Sequence, residues 1–118
     1  MEQRRQFQRI HFLQRVIADL NGQEYETHCL DISLRGILLA RPAQSHWALG
    51  VMLHVTLVLS AEEKIIMPCK LVHLDNDIAG CSCDSMDIDS LTSLRRLLEL
   101  NLANPQEMQR ELSELLRY

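Results

Sequence analysis

Aromatic side chains are scarce in this sequence: two Phe, two Tyr and one Trp among 118 residues. That scarcity tells against a small nucleic-acid-binding barrel, whose surface needs several exposed aromatics along a basic groove. It also leaves Leu, Ile, Val and Met to build the interior. Long apolar runs are missing too. Nothing approaches the ~18 uninterrupted apolar residues of a membrane span, and the arginine-loaded start lacks the apolar h-region of a signal peptide. We therefore expect a cytoplasmic protein without membrane insertion.

Four cysteines, Cys29, Cys69, Cys81 and Cys83, come without the paired C-x₂₋₄-C knuckles of a structural zinc site, even with His73 counted as a further ligand. A chain of this length can do without disulfide staples, so they read as buried, reduced thiols. A nucleophile elbow, a pair of acid/base carboxylates, an internal repeat and a low-complexity linker are absent as well. Neither an enzyme nor a cofactor or metal is expected. The net charge of −4 argues against a general nucleic-acid coat. It is unevenly spread: Arg4, Arg5, Arg9 and Arg15 against Glu2 give the first 15 residues +3, which leaves −7 for the rest. A small, highly charged anion suits that gradient better than a long polyanion.

What is present is a succession of short alternating segments. Ile10 to Leu20 alternates apolar and polar residues as a half-buried strand does. Asn21-Gly22 then suits a type I′ hairpin turn, and Glu24 to Leu30 should return antiparallel. After an interruption, Gly36 to Ala40 resumes as a strand, stopped by Arg41-Pro42. Val51 to Leu59 carries Val or Leu at every odd position, the cleanest period-2 signal in the chain. Ile65, Met67, Cys69 and Leu71 continue as an inward row ending at His73, with Pro68 favouring an edge or bulge. Ile78 to Cys83 is the last strand.

The period changes after Met86. Asp87 or Asp89 can cap a helix with Leu91, Leu94, Leu97 and Leu98 on one face. A second helix should start with Asn104 as N-cap, Pro105 and Glu107. The whole reads as one domain over residues 1–118: a flexible Arg-rich arm (1–9), a six-stranded antiparallel β-barrel (10–83) and two C-terminal helices packed on it (87–117).

Two motifs stand out. Arg5 and Arg9 are spaced RxxxR, Arg4 extends this to RRxxxR, and Asp31, Ser33 and Gly36 spell DxSxxG. Guanidinium supplies a planar fork of donors matched to phosphate oxygens or to the O6/N7 edge of guanine. An ionised Asp31 offers two acceptors side by side, Ser33 can donate to a ligand or hold the turn, and Gly36 provides positive φ or room for close approach. In these motifs, and in the order of strands and helical tail, nearly the whole chain resembles the PilZ domain family, whose members bind cyclic di-GMP.

The resemblance implies that arm and DxSxxG loop close around the ligand from two sides. Arg5 and Arg9 would grip guanine and phosphate, with Asp31, Ser33 and Gly36 as the opposing wall. Arg4 occupies a position where, in similar proteins, arginine accompanies two mutually intercalated ligand molecules. His73 is a candidate stacking group and Arg35 can add charge; Arg41 is a looser candidate, while His11 and His28 read as surface residues. A monomeric receptor or adaptor that signals to an unidentified protein is implied. A PilZ-like interaction module without ligand binding, or a small nucleic-acid-binding β-barrel, is the alternative.

Overall fold

The computed structural model describes residues 10–101 and residue 110. The arm expected over residues 1–9 lies outside this range, as does the helix expected from Asn104 on, apart from Arg110.

Six strands account for most of the described residues: β1 (Ile10–Leu20), β2 (Gln23–Ser33), β3 (Gly36–Ala40), β4 (Met52–Val58), β5 (Lys64–Leu74) and β6 (Ile78–Ser82). They close into a barrel in the order β1-β2-β3-β6-β5-β4, with every neighbouring pair antiparallel. Closure removes most of the open edge that a sheet of this size would otherwise expose. The β1–β2 turn has the expected chemistry: Asn21 and Gly22 both have positive φ, 53° and 93°, and Gly22 N–H donates to Asp19 Oδ1 at 2.9 Å.

The interior follows the alternation. Leu53, Val55 and Leu57 of β4 face Ile65, Met67 and Cys69 of β5, all fully buried. At one end, Trp47 of the β3–β4 loop is buried and meets Tyr25 edge-on, with ring centroids 5.6 Å apart. At the other end, Leu34 of the β2–β3 turn is buried.

A single helix, α1 (Ile88–Asn101), is present among residues 10–101, where two were expected in the whole chain. Asp87, rather than Asp89, caps it: Oδ1 accepts from Ser90 N–H at 2.7 Å and Oδ2 from Ser90 Oγ at 3.0 Å. Leu94 and Leu98 are fully buried and α1 packs against β5. β6 pairs with β5 only from Lys70 on, so the first half of β5 has an unpaired side. There Ile66 N–H donates to Ser90 Oγ at 2.9 Å, and Pro68, two residues on, turns its missing N–H to the same side. The helix thus satisfies a backbone donor that the barrel leaves open.

Candidate functional site

The DxSxxG segment does not interrupt β2 as expected. Asp31 and Ser33 belong to that strand, Gly36 begins β3, and Leu34-Arg35 forms the turn between them. A β-bulge accounts for this: Cys29 pairs with Leu39 and Asp31 with Leu38, so Leu30 is one residue too many for its partner strand. Thr27, Cys29 and Ile32 are buried in the barrel, and the extra residue turns Asp31 to the outer face. The Ser33 hydroxyl accepts from Arg35 N–H at 3.3 Å, which ties the turn locally.

His73 was expected on the inward row of β5. The structure puts it on the outer face, because Leu71 pairs with Cys81 and His73 with Gly80, leaving Val72 as a second inserted residue. Its side chain is 60% exposed, with Nε2 3.5 Å from Asp75 Oδ2. Backbone N–H groups of Ile78 and Asp77, and then His73 itself, hold the Asp75 carboxyl below the usual carboxylate range. Cys69, Cys81 and Cys83 point inward, so His73 cannot join them around a metal. Hydrogen bonds to the Cys81 and Cys83 thiols, reinforced by burial, push the Cys69 thiol far up and keep it protonated. Burial, aided by the charge of Asp31, pushes the Cys29 thiol up to about 12.

The two bulges flank the β3–β6 pair and shape the surface between them. One register row runs Asp31, Leu38, Gly80, His73; the next runs Ser33, Gly36, Ser82, Lys70. Glycine occupies one of the two central positions in each row, Gly80 beside Leu38 and Gly36 beside Ser82. A Cβ at Gly36 would lie 2.7 Å from the Cys81 carbonyl oxygen, which identifies close backbone approach as the reason for glycine there. From Asp31 to His73 the row spans three strand spacings, about 14 Å along the sheet. The result is an outer-face patch four strands wide, with half-buried Asp31 and buried Ser33 at one side and the exposed His73 at the other.

Arg35 lies next to Gly36 in the β2–β3 turn, and its Nη2 meets Asp84 Oδ1 at 3.4 Å. Arg41 donates through Nη1 to Asp75 O at 2.8 Å, beside the β5–β6 turn. Arg4, Arg5 and Arg9 lie outside the described residues. Gly80, Ser82 and Lys70 were not singled out from sequence. Lys70 and His73 are three apart, which strict alternation assigns to opposite faces, and a bulge leaves no reliable mark in a single sequence.

Comparison with known proteins gives one family match: a model of the PilZ domain fits residues 3–100. Several solved structures share the fold. The Bacillus subtilis inhibitor of motility MotI superposes with a TM-score of 0.69 and 18% identity over 96% of this chain and 54% of that one. YcgR of Escherichia coli, solved in complex with c-di-GMP, gives 0.67 and 14% over 98% and 51%. The K. pneumonia MrkH–c-di-GMP complex gives 0.66 and 20% over 93% and 56%. The chain therefore spans about half the length of these three proteins. At such identities the likeness is one of fold.

Proposed function

The chain belongs to the PilZ domain family, and from that premise we propose that it is a cyclic di-GMP receptor whose ligand joins the Arg-rich arm to the outer face of the barrel. The observation that carries the proposal is the register that sets the DxSxxG residues and His73 on one outer patch of the barrel. The DxSxxG residues stand beside the start of β1, where Ile10, the residue that directly follows the RRxxxR motif in sequence, pairs with Ile32 between Asp31 and Ser33. Nine residues can extend about 30 Å, roughly twice the ~14 Å between Asp31 and His73 along the sheet. YcgR and MrkH, which share the fold, were both solved with c-di-GMP.

In this reading Asp31 accepts hydrogen bonds from a guanine N1–H and amino group. Arg5 and Arg9 bind guanine edges and phosphate, Arg4 and Arg35 add charge, and Gly36 lets the nucleotide approach the backbone. His73 stacks on a base from the far side. Arg4 supports a stoichiometry of two mutually intercalated molecules per chain. Binding orders the arm, and the altered surface signals to a partner protein; the entropic cost of ordering is offset by charge-assisted bonds.

The test is a calorimetric titration of the protein with cyclic di-GMP. Saturation at two molecules per chain is expected, with binding abolished in Arg5→Ala, Arg9→Ala and Asp31→Ala while their melting curves stay cooperative. Wild-type affinity in those variants would overturn the assigned roles, and no binding by the wild type would leave the interaction-module alternative.

A further inference from the structure

We propose that Lys70 is an additional ligand-binding residue, a phosphate-facing cation on the side of the patch opposite the DxSxxG segment. The inference rests on the cyclic di-GMP reading above and adds a residue that neither motif contains.

Lys70 occupies the far end of the row Ser33, Gly36, Ser82, Lys70, across Gly36 and Ser82 from Ser33. The Val72 insertion is what unites it with His73. In a regular strand, residues three apart face opposite sides, but here both side chains are exposed on the outer face. The far side therefore combines a planar ring with an ammonium group.

Lys70 is also uncommitted among the described residues. Arg35 pairs with Asp84, Arg95 with Glu99 and Arg96 with Glu63, and Arg41 donates to a backbone carbonyl. The ion pairs and hydrogen bonds of the described side chains leave Lys70 without a carboxylate or carbonyl partner. A cyclic dinucleotide carries its two phosphodiesters on opposite sides of the macrocycle, so an arm that reaches one leaves the other toward the far side of the patch. A compact ammonium on a flexible stem suits such an oxygen cluster. The Ser82 hydroxyl, next to Lys70 in the row, can donate to the same group.

The experiment is a titration of the full chain with cyclic di-GMP at several salt concentrations, with melting curves as a check on folding. Lys70→Ala should weaken binding roughly tenfold, the scale of one hydrogen bond to a charged group, and flatten the salt dependence. Lys70→Glu should weaken it further, and Lys70→Arg should retain most of the affinity. Lys64→Ala, at the other end of β5, should bind as the wild type does. If the wild type binds but Lys70→Ala and Lys70→Glu match it in affinity and salt dependence, the role of Lys70 is overturned and the receptor reading stands. If the wild type itself fails to bind, both fall together.

Discussion

Gly80 and His73 are cross-strand partners whose fit depends on the glycine: a Cβ at Gly80 would stand 3.2 Å from the Cβ of His73. The ring has room beside β6 because its neighbour there has no side chain. Gly80→Ala should displace the imidazole and weaken cyclic di-GMP binding several-fold while the barrel stays folded. His73→Ala should lose about as much as one stacked base, ~1–3 kcal/mol, and His73→Trp should regain it. Paired titration and thermal melts would check this; unchanged affinity in His73→Ala would remove the stacking role.

Gly36 has a tighter constraint, since its missing side chain would collide with backbone rather than with a movable group. Gly36→Ala is expected to lower stability by roughly 1–3 kcal/mol, as other overpacked sites do. Urea denaturation should show the midpoint shifting with little change in slope.

The Arg35–Asp84 pair competes with any anion for the guanidinium. Asp84 is 83% exposed and Arg35 35%, so the pair is loosely held and solvent-screened. Asp84→Asn should raise ligand affinity by no more than about fivefold, the ceiling for an exposed pair of ~1 kcal/mol, and the gain should shrink in high salt. A titration at two ionic strengths separates this from a change in fold.

Ser90 joins the helix to the barrel by accepting from Ile66 N–H and donating to Asp87. Ser90→Ala leaves a β5 backbone donor without its acceptor, with an expected loss of about 1–3 kcal/mol. Chemical denaturation measures it, and increased amide exchange at Ile66 would locate the damage.

Acid should act on the same junction. The N–H and hydroxyl of Ser90 hold the Asp87 carboxyl below its usual range, so its support for α1 is fully present above the ordinary carboxylate pKa. That support is lost as pH falls through the depressed folded-state value, where protonation removes the acceptor charge. Asp75, depressed by its own turn amides, adds a contribution of the same sign at the β5–β6 turn. Melting temperature should fall on acidification, and Asp87→Asn, which keeps an acceptor but does not titrate, should show a shallower decline.

Much of this was legible in the residues themselves. The six strands, the Asn21-Gly22 turn and the first helix follow from period, turn chemistry and capping, signals that are local in sequence. The fully buried odd positions of β4 are the clearest instance. The facing of His73 and the continuity of β2 through Asp31 were not legible. Both depend on one extra residue relative to a partner strand, which is a property of a pairing and not of either segment alone. Asp87 and Asp89 were both possible caps in the sequence, and Asp87 is the one that accepts from Ser90, the residue that also meets Ile66.

The inserted residues Leu30 and Val72 carry a lesson about variation in this chain. Neither side chain need touch a ligand, and replacing one by another amino acid would leave the strand count, and so the facing of Asp31 or His73, unaltered. Deleting one codon would instead invert every position on one side of the insertion. Mutational scans built from substitutions alone would therefore score both positions as tolerant, and alignments that absorb them into a gap would misplace Asp31 and His73, which follow them.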